Sequence, residues 1–92
     1  MIRSIRHKAL AAYWTKGRTK GLNAQWISRI SRILRALDVA REPRDMDLPG
    51  YYFHGLTGRD DGRYSVRVTA NFRITFAFEG EDAIEIDLED YH

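Results

Sequence analysis

The sequence predicts an α+β fold in which two N-terminal helices pack on a small antiparallel sheet. In the first 40 residues, apolar side chains recur at the spacing of an amphipathic helix. Beyond residue 50, apolar and polar residues alternate with period two, which is typical of strands with one buried face. A chain of 92 residues has room for one core, so we expect a single domain over residues 1–92.

The first helix is expected over residues 7–16, after a short strand over residues 1–6. Gly17 is expected to end this helix, because glycine adopts the left-handed conformation that closes helices. Its apolar residues recur at i, i+3 and i+4, and they are Leu10, Tyr13 and Trp14.

The second helix is expected to begin after Asn23, a favourable N-cap residue, and to end before Pro43. One continuous apolar stripe runs along it, formed by Trp26, Ile30, Ile33, Leu34 and Leu37. Three arginines, Arg29, Arg32 and Arg35, fall off this stripe.

The strands are expected in the second half of the chain, in a meander that follows the two helices. They are predicted over residues 51–56, 64–68, 72–78 and 83–88, with turns at residues 58–62 and 79–82. The order is therefore β-α-α-β-β-β, and the helices must cover one sheet face. Centring the last hairpin on residues 80 and 81 places Arg73 opposite Leu88.

The formal net charge of +2 conceals a division between the two halves of the chain. Residues 1–41 hold ten Lys or Arg and one acid, a net charge of +9. Residues 42–92 hold five Arg and twelve Asp or Glu, a net charge of −7. We therefore expect the N-terminal half to meet a polyanion, although solvated helix faces alone would give the same pattern.

Several classes of site find no support in the sequence. No P-loop, dinucleotide fingerprint or nucleophile elbow occurs. The three histidines are far apart and no cysteine joins them, so we expect neither a metal nor another cofactor. No apolar stretch approaches the roughly 20 residues that span a bilayer, so we expect no membrane contact and a cytoplasmic protein.

A set of polar residues on the strands and at the end of the sequence could cleave RNA without a metal. Such cleavage needs a base for the ribose 2′-OH, a cation for the phosphate and an acid for the leaving oxygen. Histidine suits the proton transfers and arginine the phosphate. The set consists of His54, Arg59, Arg67, Arg73, Asp90, Tyr91 and His92. Taken singly, each could instead be a structural or surface residue.

Six segments, taken in order and with their spacing, resemble the HigB or plasmid-killer branch of the RelE-type toxins. The resemblance runs along nearly the whole chain. The segments are Met1–Ser4 with His7-Lys8, Asp45–Tyr51, His54–Gly58, Tyr64–Val68, Asn71–Phe76 and Asp90–His92.

The resemblance implies a ribosome-dependent messenger-RNA endoribonuclease (an mRNA interferase) that uses no metal. It also implies a HigA-like helix-turn-helix antitoxin as partner, with operator DNA contacted only through that antitoxin. The residues that match those tied to cleavage in the family are His54, Arg73, Asp90, Tyr91 and His92. The expected RNA- and ribosome-binding residues are Arg59, Arg67, Arg29, Arg32 and Arg35.

Two positions depart from the family's usual pattern. Thr57 stands where a lysine is common, and Gly55 replaces a common proline. Threonine carries no charge for a phosphate, so Arg59, two residues further on, is a candidate replacement. The alternative interpretation is therefore a non-catalytic module, or weakened toxin, that binds nucleic acid or the antitoxin.

Overall fold

The computed structural model describes residues 1–90 and has the predicted α+β architecture. The helices are α1 (Lys8–Lys16) and α2 (Ile27–Val39), and the strands are β1 (His54–Gly55), β2 (Tyr64–Arg67), β3 (Phe72–Glu79) and β4 (Asp82–Asp90). The four strands form an antiparallel sheet in the order β1-β2-β3-β4. Tyr91 and His92, both predicted site residues, lie outside the described residues.

The segment over residues 1–6 lies beside β4 and is less regular than the predicted strand. It makes two isolated parallel bridges, from Ile2 to Ala83 and from Ile5 to Ile86. The Asp38 carboxylate accepts a hydrogen bond of 2.9 Å from the Ile2 backbone N–H, which ties the segment to α2.

The first helix begins at a side-chain cap, and the second follows a 3₁₀ turn that has its own side-chain cap. The His7 ring Nδ1 accepts a hydrogen bond of 3.1 Å from the Leu10 N–H, and α1 ends at Gly17 with φ 70° as predicted. Asn23 caps a single 3₁₀ turn, Ala24–Trp26, which continues into α2. The prediction of the second helix is thus confirmed, except that its first turn is wound more tightly.

The core lies between α2 and one face of the sheet, as the apolar stripe predicts. The helix contributes Ile30, Ile33, Leu34 and Leu37, and the strands contribute Val66, Ile74, Phe76 and Ile86, all with no exposed surface. The side chains that alternate with these strand residues must point to the opposite sheet face.

The first predicted strand is much shorter than expected. The prediction extends over residues 51–56, but only His54–Gly55 pairs with β2. The cause is Tyr52, whose φ of 51° turns the backbone out of the extended conformation. The Arg67 N–H still donates a hydrogen bond of 2.8 Å to the Tyr51 carbonyl.

A β-bulge in β4 makes the predicted partner of Arg73 wrong. Thr75 pairs with Asp87 but Ala77 pairs with Ile84, so two residues of β4 face one residue of β3. The additional residue moves every later partner by one position. Arg73 therefore lies opposite Glu89 rather than Leu88.

Candidate active site

The sheet face opposite the helices carries two rows of polar side chains. Directly paired residues project to the same face, so the register assigns each row. The first row crosses all four strands and consists of His54, Ser65, Thr75 and Asp87. The second row consists of Arg67, Arg73 and Glu89.

A cleft of about 360 Å³ opens on this face. Its lining comes from β1, the segment after it, and the facing ends of β2 and β3: His54, Gly55, Leu56, Thr57, Arg67 and Arg73. The structure therefore brings together one predicted proton-transfer residue, His54, and two predicted phosphate ligands, Arg67 and Arg73. These residues are separated in sequence, and only the β1-β2-β3 pairing makes them neighbours.

Arg67 and Arg73 lie directly opposite each other on β2 and β3. Two like charges in this arrangement repel, so an anion between them would be favoured. The Arg73 Nη1 donates a hydrogen bond of 3.2 Å to the Ser65 hydroxyl. The Arg67 guanidinium carbon lies 4.0 Å from the centre of the Tyr52 ring. Both cations are thus held in position by neighbouring side chains.

A buried polar network supports the site from within the sheet. Arg63, Ser65 and Thr75 are 8%, 1% and 2% exposed. Arg63 Nη2 donates to the Thr75 hydroxyl at 2.9 Å and to the Glu85 carbonyl, in the bulge, at 2.8 Å. The Thr75 hydroxyl in turn donates a hydrogen bond to Glu89. Within the described residues, Arg63 Nη1 is buried without a hydrogen-bond partner.

Asp90 and Arg59 occupy different places relative to the cleft. Asp90 ends β4 opposite Phe72, one pair beyond the pairing of Arg73 with Glu89. Arg59 is exposed in a 3₁₀ turn, Gly58–Asp60, and does not line the cleft. The hypothesis that Arg59 replaces a lysine at position 57 is therefore less well supported than the same role for Arg67.

The three arginines of α2 lie on the helix layer, away from the cleft. Arg29 binds backbone carbonyls, donating to Gly50 at 2.6 Å and to Arg67 at 3.0 and 2.8 Å. Its guanidinium also lies 5.1 Å from the centre of the Tyr51 ring. Arg32 and Arg35 are exposed, and Arg35 donates to the Ser31 hydroxyl. Arg29 is thus committed to joining α2 to the sheet, whereas the other two face solvent.

Sequence reasoning missed six residues of this face: Tyr52, Arg63, Ser65, Thr75, Asp87 and Glu89. The period-two pattern assigns Thr75 to the polar face, but its burial cannot be read from the pattern. Glu89 is missed because the bulge determines its partner. Tyr52 is missed because the pattern makes it part of a regular strand.

Within residues 1–90, no helix is both long enough and apolar enough to cross a membrane. In the same part of the chain, no group of three or more His, Asp or Glu side chains is arranged to hold a metal ion.

Comparison with known proteins gives consistent results at the levels of family, sequence and fold. A family model described as RelE-like toxin of type II toxin-antitoxin system HigB matches residues 3–92. The chain is 42% identical over 92 residues to the endoribonuclease HigB of Proteus vulgaris, covering 100% of both. The YoeB/ParE toxin from Agrobacterium tumefaciens superposes with a TM-score of 0.60 at 19% identity, covering 100% of this chain and 99% of that one. YafQ from E. coli strain BL21(DE3) superposes with a TM-score of 0.56 at 9% identity, and the superposition covers 98% of this chain and 93% of that one.

Proposed function

The chain belongs to the HigB-like family of RelE-like toxins of type II toxin-antitoxin systems, and on that premise we propose that it is a messenger-RNA endoribonuclease acting on the ribosome. One observation carries the proposal beyond family membership. The cleft gathers a histidine and two arginines on one sheet face, and these are the side chains that phosphodiester cleavage needs.

In the proposed reaction, the ribose 2′-oxygen attacks the adjacent phosphorus. A base removes the 2′-OH proton, the new O–P bond forms, and the bond from phosphorus to the 5′-oxygen breaks. An acid then protonates the leaving 5′-oxygen. The products are a 2′,3′-cyclic phosphate and a 5′-hydroxyl. His54 is suited to one proton transfer, and the segment Asp90–His92 supplies candidates for the other.

Arg67 and Arg73 have the proposed role of binding the phosphate. Charge builds up on the phosphate oxygens as the 2′-oxygen attacks, and a fork of N–H donors on each arginine stabilises it. Thr57 lines the same cleft as Arg67, so the uncharged residue at position 57 lies in a site that already contains two cations. This supports catalysis despite the departure at position 57. No metal or other cofactor takes part in the proposed mechanism.

The proposed partners follow from family membership. A type II toxin has an antitoxin, and we expect a HigA-like helix-turn-helix protein that alone contacts operator DNA. Because the proposed substrate is messenger RNA on the ribosome, the proposed location is the cytoplasm.

The proposal is tested by inducing the chain with and without its antitoxin and mapping messenger-RNA ends by primer extension. We expect growth arrest with new cuts that carry 5′-hydroxyl ends, because the attacking oxygen belongs to the RNA itself. Ends carrying a 5′-phosphate would indicate attack by water and would contradict the mechanism. Arrest without new cuts would favour the non-catalytic binding module that Thr57 raises as the alternative.

A further inference from the structure

Tyr52 has a backbone conformation that bulky side chains rarely adopt. Its φ is 51°, in the left-handed region that favours glycine and asparagine. This conformation interrupts the strand predicted over residues 51–56 and leaves the tyrosine 58% exposed, which makes it one of the most exposed large aromatics in residues 1–90. An unfavourable conformation that keeps an apolar ring in solvent gains no burial, so the ring needs another explanation.

The exposed ring lies next to the proposed phosphate site. The Arg67 guanidinium carbon is 4.0 Å from the ring centre, and the same arginine lines the cleft with His54 and Arg73. Tyr52 thus adjoins the catalytic face through a residue that is already part of it.

The neighbouring tyrosine provides a comparison within the same segment. Tyr51 also has an arginine over its ring, but Arg29 binds two backbone carbonyls and joins α2 to the sheet. Tyr51 is partly buried against the core, whereas Tyr52 is not. The contact of Arg29 with the Tyr51 ring therefore has a structural explanation, whereas the contact of Arg67 with the Tyr52 ring has none.

We propose that the Tyr52 ring is a stacking platform for one unpaired base of the messenger RNA, next to the phosphate bound by Arg67 and Arg73. Proteins that recognise single-stranded RNA stack its bases on exposed aromatic rings and arginine planes. Arg67 connects the base and the phosphate, because its guanidinium touches the ring and lines the phosphate cleft. The inference rests on the proposed function, and it makes Tyr52 a residue that determines substrate preference.

The first experiment measures cleavage of messenger RNA on purified programmed ribosomes by the full chain, Tyr52→Ala, Tyr52→Phe and Tyr52→Trp. Stacking depends on the ring and not on the hydroxyl, so Phe and Trp should keep nearly full activity. Removing the ring should lower kcat/KM about tenfold, the typical effect of removing one stacking ring. The decrease should be largest when a purine occupies the stacked position, since purines stack most strongly.

Leu48→Ala is the matched control, because Leu48 is a partly exposed apolar residue of the same connector. It should leave kcat/KM and base preference unchanged. Tyr52→Asn separates a role in RNA binding from a role in folding. Asparagine tolerates the left-handed conformation, so this variant should melt near the parent temperature and still lose activity. A marked fall in melting temperature with unchanged base preference would overturn the proposal.

The second experiment observes stacking directly and does not require cleavage. Messenger RNA with 2-aminopurine at each position of the codon in turn, and 2′-deoxy sugars to prevent cutting, is bound to programmed ribosomes. The parent chain should quench the fluorescence at one position, and Tyr52→Ala should not. Equal quenching by both would overturn the platform. If the parent quenches but never cleaves the matching all-ribose RNA, the proposed function fails while the stacking inference stands.

Discussion

Arg73 is the residue whose charge the proposed chemistry uses most directly. Its guanidinium is bound to the Ser65 hydroxyl, lines the cleft and lies between Arg67 and Glu89 in the register. The cation is therefore held ready before substrate arrives, which is the condition under which electrostatic stabilisation is most effective.

We predict that Arg73→Ala lowers the cleavage rate about a hundredfold or more, because it removes one donor group from the developing phosphate charge. Arg44→Ala removes the same charge from an exposed 3₁₀ turn that does not line the cleft, and it should change the rate little. Growth after induction and the cleavage rate on programmed ribosomes measure the effect, and a thermal melt checks folding. A folded Arg73→Ala variant that stays as toxic as the parent would contradict the site.

Deleting residues 90–92 tests the other half of the predicted site. The deletion removes one large apolar side chain at most, Tyr91, so we expect the protein to fold and to bind its antitoxin. Toxicity should disappear, since the candidate groups for the second proton transfer are gone. Antitoxin co-purification and growth after induction are the measurements, and full toxicity of a folded truncation would remove Asp90, Tyr91 and His92 from the site.

Thr75 joins the buried arginine to the site, and its hydroxyl both accepts from Arg63 and donates to Glu89. Thr75→Val keeps the shape and removes both bonds. We expect the free energy of unfolding to fall by about 1–3 kcal/mol, the usual cost of leaving buried polar groups without partners. Thr15→Val, on the exposed side of α1, is the control and should cost less than about 0.5 kcal/mol in chemical denaturation.

The β4 bulge determines which side chains of the last strand reach the active face. A strand has period two, so a shift of one residue exchanges its two faces. Without the bulge, Leu88 would lie beside Arg73 and Glu89 would face the core. Arg63 holds the bulge by binding the Glu85 carbonyl, so one buried arginine links the shape of the strand to the polar network.

The bulge can be tested through Glu85, whose φ is 51°. At an ordinary strand position valine stabilises relative to glycine, but at positive φ the order should reverse. We predict that Glu85→Val unfolds more easily than Glu85→Gly by about 1–2 kcal/mol. The same pair of substitutions at Glu79, an exposed β3 residue, should give the ordinary order. If the valine variant were more stable than the glycine variant at both positions, the result would argue against the bulge.

Periodicity is sufficient to predict the helices and the long strands, because each buries one regular face. It cannot reveal the bulge, since the alternation of Ile84, Ile86 and Leu88 with acidic residues looks uninterrupted. Nor can it reveal the turn at Tyr52, where an ordinary aromatic occupies an unusual backbone conformation. The alternation therefore accounts for the placement of His54, Arg67 and Arg73 on one sheet face, and it fails wherever local geometry overrides the pattern.

At the scale of the molecule, part of the N-terminal positive charge is neutralised internally. Arg3 pairs with Glu79 and Asp82, and Arg6 pairs with Glu85. The division of charge along the sequence is thus partly a division between two segments that bind each other. Arg32 and Arg35, which face solvent on α2, are better candidates for binding ribosomal RNA.

We predict that Arg32→Gln with Arg35→Gln weakens ribosome binding and makes the plot of log affinity against log salt less steep. The slope should fall by about one for each RNA phosphate that the variant no longer neutralises. Arg3→Gln with Arg6→Gln removes the same total charge from the internally paired set and should affect binding much less. Co-sedimentation with ribosomes at several salt concentrations distinguishes the two. Equal effects from both pairs would mean that only net charge matters.

The position of β4 also has a consequence for synthesis of the chain. β4 lies between β3 and residues 1–6, and it follows every other described element in the sequence. While the ribosome adds residues one at a time, α1, α2 and the first three strands emerge without the strand that joins them to the N-terminal segment. The Arg63–Thr75–Glu89 network closes only when Glu89 has emerged. The sheet cannot be completed, and this polar network cannot close, until the residues of β4 have been synthesised.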